Sequence, residues 1–336
     1  MGLIIIKDDN RLELLSFCFF GLFFLVLFWG CRSGVEGDSR VGVVVSVEPH
    51  AFLVERIGGE FVRVQVLVPV GKEPESYQPV PEKIVALTQA KLFFRTGIPF
   101  ENIIIPKLKS IAPNLEIIDL RHGINLRKIE FHHHKQHEHE FDKNNTTTEQ
   151  TTQSLTNHPN DIDCLSDPHI WFSVRLLLVE AESVLRELVK IDPLHESEYK
   201  KNFEAFVKEA ESVKTELNKI LKPLKGQTIF VFHPTYGYFC DEFNLHQQAI
   251  EIGGKTPKPK ELVAIINKAA EIKNKTNKQI VIFVQPEFNR TPAQSVAEAT
   301  NGRIVEHSAL ERNIFKSMIN FAKEICGDDS HEDNGS

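Results

Sequence analysis

Short β-branched runs alternate with helical patterns twice along this chain, once on each side of a long amphipathic segment. The runs before that segment are at residues 41–47, 61–68, 91–94 and 115–119. Those after it are at residues 228–232, 247–251, 279–284 and 303–306. Strands that alternate with helices imply a parallel sheet with helices on its faces, so the pattern predicts two α/β lobes with mainly parallel sheets.

The amphipathic segment between the two halves predicts one long helix over residues 196–221, which would be about 40 Å long. We therefore expect an N-terminal lobe over residues 38–194, a linking helix over 195–222 and a C-terminal lobe over 225–326. Ligands of open parallel sheets bind beyond the carboxyl ends of the strands. The expected ligand site is accordingly the cleft between the lobes.

The N-terminus carries a targeting signal. Residues 14–29 are a nearly unbroken apolar run of 16 residues, shorter than the roughly 20 that a helix needs to span a bilayer. The run ends at Gly30-Cys31, which resembles a bacterial lipoprotein cleavage site. We interpret residues 1–31 as a signal peptide with Cys31 as the lipidated residue, and a retained membrane anchor is the alternative. Either way, the rest of the chain is expected outside the cytoplasmic membrane, in the periplasm or at the cell surface.

Charge and cysteine content exclude several classes of protein. The formal net charge of -7 does not match the basic surface of a nucleic-acid binder. Five cysteines without a C-x-x-C motif argue against a disulfide framework and against a cysteine-based zinc site. In an exported protein, Cys164, Cys240 and Cys326 can hold one disulfide and one free thiol, and the pairing stays open.

Three histidines and one glutamate form the candidate metal site. His50 and His233 follow predicted strands, where parallel sheets place their ligands. His169 lies in a rigid Asp-Pro-His turn in which the Asp167 carboxylate can orient its imidazole. Glu75 lies in a loop that follows another predicted strand. Three imidazoles and one carboxylate are a four-coordinate set suited to Zn²⁺.

The motifs at residues 43–49, 52–59, 67–71, 167–171 and 231–234, followed by Tyr238, together resemble the zinc/manganese solute-binding proteins of ABC transporters. The resemblance extends over about residues 41–325. It implies two α/β lobes joined by a rather rigid helix, with one metal ion held between them by histidines and a carboxylate. It also implies a transport protein rather than an enzyme, and it places His169 and His233 at two of the ligand positions.

Two positions depart from the family pattern. Glu75 replaces the first histidine of the family, and Ser308-Ala309-Leu310 replaces an Asp-Pro-Leu motif, so the usual last carboxylate is absent. We therefore expect His50, Glu75, His169 and His233 as the ligands. His307, beside the lost aspartate, is the alternative to His50, and water is the simplest fourth ligand.

A histidine-rich tract at residues 131–140 is a separate signal, within a polar loop expected over residues 131–158. Such a tract can capture a divalent metal without imposing a fixed geometry, and in the family it is associated with zinc members more than with manganese members. A solvated loop without a role is the alternative. Its histidines are His132, His133, His134, His137 and His139.

The sequence therefore predicts a monomeric, exported, lipid-anchored protein that captures Zn²⁺ rather than Mn²⁺ and delivers it to an ABC transporter permease. One alternative is a zinc-dependent hydrolase that uses Glu73 or Glu287 as its general base. A second is a surface adhesin on the same fold. A third is a family member that has lost metal binding through the two departures.

Overall fold

The computed structural model describes residues 38–128 and 166–327. The N-terminal lobe contains a four-stranded parallel sheet of order β2-β1-β3-β4. Its strands are β1 (Val41–Val45), β2 (Val62–Val66), β3 (Leu92–Arg95) and β4 (Glu116–Asp119). The helices between them are α1 (Glu48–Gly58), α2 (Pro81–Gln89) and α3 (Pro99–Ile111).

Two helices follow in the described chain and lead to a second lobe. They are α4 (Val174–Ile191) and α5 (Glu196–Leu221). The second lobe's parallel sheet has order β6-β5-β7-β8, the same strand order as the first. Its strands are β5 (Thr228–Val231), β6 (His246–Ala249), β7 (Val281–Val284) and β8 (Arg303–Glu306). Its helices are α6 (Gly237–Phe243), α7 (Pro259–Thr276), α8 (Thr291–Thr300) and α9 (Ile314–Cys326). The predicted fold class of two parallel α/β lobes with one long helix is confirmed.

The long helix α5 packs against both lobes. It contacts α1 and α4 on the N-terminal side and α9 on the C-terminal side. The Phe206 ring, on α5, stacks on Phe315 of α9 at 5.2 Å between centroids, and Phe315 meets Phe52 of α1 edge-on at 5.7 Å. One apolar core therefore continues across both lobes. A second, smaller core lies within the C-terminal lobe.

Hydrogen bonds hold the loop ahead of α4 against the carboxyl ends of the first sheet. The buried Glu101 carboxylate accepts bonds from Ser46 Oγ at 2.5 Å and from the Thr96 backbone N–H at 3.1 Å. Thr96 Oγ1 then donates to the Pro168 carbonyl at 3.1 Å. This chain of bonds fixes the residue that precedes His169.

None of the helices in these two described ranges has the length and apolarity that a membrane crossing requires. Cys240 is buried in α6 and Cys326 is exposed at the end of α9, and the two form no disulfide with each other. Cys164 lies outside the described residues.

Candidate metal centre

The structure brings Glu75, His169 and His233 together at the carboxyl ends of the strands. One ligand atom of each lies within 4.8 Å of the other two. His233 Nε2 is 3.3 Å from both Glu75 Oε1 and His169 Nε2, and His169 Nε2 is 3.8 Å from Glu75 Oε1. Each residue comes from a different loop: Glu75 from the one after β2, His169 from the one before α4, and His233 from the one after β5. The site therefore joins both lobes.

The second nitrogen of each imidazole is bound to a carboxylate. His169 Nδ1 lies 2.7 Å from Asp167 Oδ1, which also accepts the backbone N–H of His169 at 3.0 Å. His233 Nδ1 lies 2.8 Å from Glu251 Oε1. A carboxylate at Nδ1 favours the tautomer with its proton on that atom, which leaves Nε2 available as a metal ligand. Both Nε2 atoms are those that approach Glu75.

Charge complementarity shifts the pKa values of this group. Burial by itself would raise the pKa of Glu75, but the hydrogen bond to His233 and the charges of both imidazoles outweigh it and lower the pKa to about 2. Burial would lower the pKa of His233, yet its bonds to Glu251 and Glu75 raise it well above the usual range. Glu75 is therefore an ionised carboxylate at neutral pH, ready to bind a cation.

The three residues line a cavity of about 20 Å³, enough for a single water molecule or metal ion. Trp171 and Phe288 provide apolar walls: the His169 ring meets Trp171 edge-on, and the His233 ring stacks on Phe288 at 4.8 Å between centroids. Two more carboxylates, those of Glu73 and Glu287, line the same cavity.

His50 does not join this group, so its expected place in the ligand set needs correction. It is the third residue of α1, and its side chain is buried in the N-terminal lobe. His50 Nε2 lies 2.8 Å from Oε2 of Glu180, a buried residue of α4. The His50 and Trp171 rings make an edge contact at 5.6 Å between centroids, and the same Trp171 ring contacts His169 at 5.2 Å.

His307, the alternative to His50, is also outside the group. It is buried, with Nδ1 3.0 Å from the Tyr236 hydroxyl and Nε2 3.1 Å from the Ser317 carbonyl. Both ring nitrogens therefore have protein partners. Burial lowers the pKa of His307 to about 4, which keeps the imidazole neutral at physiological pH.

The remaining predicted residues lie outside the described part of the chain. They are Cys31 and the tract residues His132, His133, His134, His137 and His139.

Two residues near the site were not identified from the sequence. Glu251 orients His233, and Gln285 holds its backbone by donating from Nε2 to the His233 carbonyl at 2.9 Å and accepting the His233 N–H at 3.3 Å. Gln285 directly follows β7, and Glu251 lies two residues after the end of β6. Their position beside the strand ends is the signal that could have drawn attention to them.

Known proteins share this architecture over most of the chain. The family model described as ZnuA, zinc-uptake complex component A, periplasmic, matches residues 43–323. The high-affinity zinc uptake system protein ZnuA of Yersinia pestis is 25% identical over 300 residues, which are 85% of this chain and 89% of that protein. The manganese ABC transporter substrate-binding lipoprotein scaA of Streptococcus gordonii is 23% identical over 278 residues, or 79% and 78% of the two chains.

A solved structure agrees with the family model. The crystal structure of ZnuA superposes with a TM-score of 0.72 and 28% sequence identity, covering 86% of this chain and 98% of the other. Within this chain, the two parallel sheets have the same strand order, and a histidine–glutamate group lies at the strand ends. This protein therefore belongs to the ZnuA family of metal-binding, substrate-binding proteins of ABC transporters.

Proposed function

We propose that this chain captures one Zn²⁺ ion with Glu75, His169 and His233 and delivers it to the permease of an ABC transporter. The observation that carries the proposal is the convergence of three ligand atoms within 4.8 Å, with the outer nitrogens of both imidazoles held by carboxylates. Carboxylates that support metal-ligating histidines in this way fix the ring orientation and raise ligand basicity.

Zinc is proposed as the transported ion because of the ligand types. Imidazole nitrogens suit zinc, whereas sites for manganese are richer in carboxylate and other oxygen ligands. Two imidazoles and one carboxylate form a set that zinc accepts at about 2.0–2.2 Å. The relatives include both a zinc uptake protein and a manganese lipoprotein, so direct competition between the two ions is the relevant test.

We propose that the protein works outside the cytoplasmic membrane, held there by a lipid on Cys31. The support is the apolar run at residues 14–29 ahead of Gly30-Cys31, together with a relative named as a lipoprotein. An anchored protein would present the cleft to a permease in the same membrane. Metabolic labelling with a radioactive fatty acid tests this, because Cys31→Ala should abolish incorporation.

Calorimetric titration with Zn²⁺ and with Mn²⁺ tests the cleft. The five histidines of the tract are first replaced by glutamine so that only the cleft remains. We expect one tight zinc equivalent, a weaker response to manganese, and loss of the tight site in His169→Ala and His233→Ala. His246→Ala is the matched control, since His246 is exposed on β6.

The same protein preparation also distinguishes a transport protein from a zinc hydrolase. A zinc hydrolase keeps a ligand position open for water, next to a general base. We propose that the chain has no such activity, so the zinc-loaded protein should not turn over peptide or ester substrates. Turnover that disappears in Glu287→Gln or Glu73→Gln would favour the hydrolase instead.

A further inference from the structure

Glu287 is held next to the candidate ligands by its neighbours in sequence. It lies in the short loop that follows β7, between Gln285 and Phe288. Gln285 makes two hydrogen bonds to the backbone of His233, and the Phe288 ring stacks on its imidazole with planes 15° apart. Gln285 and Phe288 lie on either side of Glu287 in sequence, and both contact His233. The backbone of Glu287 therefore has little freedom to move at the cavity wall.

The Glu287 carboxylate has only a weak hydrogen-bond partner in this structure. Ser308 Oγ is 3.5 Å from Oε1, at the outer limit for a hydrogen bond. Within residues 38–128 and 166–327, Glu287 makes no ion pair with a lysine, arginine or histidine at 4.0 Å or less. Its partial burial raises its pKa, as expected for a carboxylate whose charge is poorly compensated.

The group of Glu75, His169 and His233 supplies three of the ligands that a bound metal ion needs. Zn²⁺ in protein sites is mostly four-coordinate, and a fourth ligand is either water or another side chain. Among the direct ligands, one carboxylate compensates only half of the ion's charge in a partly buried cleft, whereas two carboxylate ligands balance it. Glu287 is in the lining of the same cavity and has no strong bond to break.

We propose that Glu287 is the fourth protein ligand of the ion held by Glu75, His169 and His233, turning from Ser308 to the metal when the ion binds. This inference rests on the proposed function. It gives Ser308 a definite role, since the small hydroxyl leaves room for the glutamate and holds it only loosely while the site is empty. It also makes the loaded site closed to water, as in zinc sites that bind rather than react.

Glu73 is the acid that could compete for this role. It lines the same cavity, but it comes from the same loop as Glu75, and its Oε2 accepts a 2.8 Å hydrogen bond from Ser76 Oγ. A stronger partner of its own makes Glu73 the less available carboxylate. It also makes Glu73→Gln a matched control, because that change removes the same charge from the same cavity.

The test compares Glu287→Gln with Glu73→Gln in the full chain whose tract histidines have been replaced. Zinc affinity is measured by competition with a chelating dye. We expect Glu287→Gln to weaken zinc binding by about tenfold or more, and Glu73→Gln, which removes the same charge without removing a ligand, to have a clearly smaller effect. Co²⁺ loaded into the same proteins adds a coordination readout, because its visible absorption weakens when a four-coordinate site takes up additional water. The spectrum should change in Glu287→Gln only.

Each outcome has a separate meaning. Equal affinity and an unchanged Co²⁺ spectrum in Glu287→Gln would overturn the inference while leaving the three-residue site intact. Restoration of tight binding in Glu287→His would support a ligand role over a general effect of charge, because the imidazole is neutral. Absence of tight zinc binding in the parent chain, or no effect of His169→Ala, would instead overturn the proposed function itself.

Discussion

At the residue scale, the candidate site depends on side chains that do not face the cavity. Asp167 and Glu251 each fix one imidazole through Nδ1, at 2.7 Å and 2.8 Å. Without that bond an imidazole can rotate or take the other tautomer, and Nε2 is then no longer presented as a ligand. These two carboxylates therefore determine the geometry of the site through the imidazoles that they hold.

Glu251→Gln should lower zinc affinity by roughly 10- to 100-fold, because an amide oxygen is a weaker acceptor than a carboxylate for the His233 ring. Dye competition measures the change. Glu271→Gln is the control: Glu271 is exposed on α7 and pairs with Lys275. Equal affinities in the two variants would show that Glu251 does not position His233.

His307 should make the metal-free protein less stable in acid. Its pKa is about 4 in the folded state against 6.5 for the free side chain, so the unfolded state takes up the proton first as the pH falls below 6.5. The stability that the neutral form contributes is therefore complete above pH 6.5 and is lost progressively towards pH 4. For this residue alone the loss at pH 5 is about 2 kcal/mol.

Urea unfolding at pH 7 and pH 5, with chelator present, tests this expectation. His307→Gln cannot bind a proton in this range, so its free energy of unfolding should change less between the two pH values than that of the parent chain. The comparison concerns the pH dependence, so any constant cost of the substitution cancels. Identical pH dependence in both proteins would contradict the assignment of a buried neutral imidazole.

The individual residues of the site differed in how far they could be predicted from the sequence. The rigid Asp-Pro-His turn predicted both His169 and its supporting carboxylate, and the structure places Asp167 Oδ1 against His169 Nδ1. A position after a strand, by contrast, does not determine the direction of a side chain. His50 follows β1, yet as part of α1 it turns towards Glu180 on the neighbouring helix. That direction depends on helix packing, which periodicity alone does not specify.

At the scale of elements, the long helix α5 was predictable to the residue because proline, aspartate and glycine bound its apolar stripe. The parallel strands were predictable as β-branched runs, with ends that differ from the structure by up to two residues. The position of the loop that carries Gln285, Glu287 and Phe288 was not predictable, because its contacts with His233 join elements that are remote in sequence.

Phe206→Ala should destabilise the protein by about 3–5 kcal/mol, the usual cost of removing a buried phenylalanine. Its ring is fully buried and stacks between α5 and α9. Chemical denaturation measures the change, and Lys208→Ala, at an exposed position of the same helix, should cost little. A small effect at Phe206 would mean that the helix contributes little to joining the lobes.

At the scale of the whole molecule, the two lobes should unfold together. The main apolar core includes residues from both sheets and from α5, so neither lobe can expose its part without disturbing the other. Scanning calorimetry of the metal-free protein should give one transition. Two separable transitions, with the Phe206→Ala variant affecting only one of them, would contradict this expectation.

Zinc should raise the stability of this single unit. At a free zinc concentration of about 100 times the dissociation constant, binding to the folded state alone adds about 2.7 kcal/mol. The midpoint temperature of the parent chain should therefore rise with zinc, and that of His169→Ala should not. An equal rise in both proteins would place the stabilising ion somewhere other than the cleft.

The small size of the cleft cavity has a consequence for competition among ions in the surroundings. A space of about 20 Å³ takes a bare cation but not its hydration shell, so entry requires dehydration. Mg²⁺ gives up its waters reluctantly and prefers octahedral oxygen ligands, whereas zinc readily exchanges water for imidazole. An excess of magnesium should therefore leave zinc occupancy unchanged. Selectivity against magnesium would then follow from the cost of dehydration that the small cavity imposes on every ion, which imidazole ligands offset for zinc but not for magnesium.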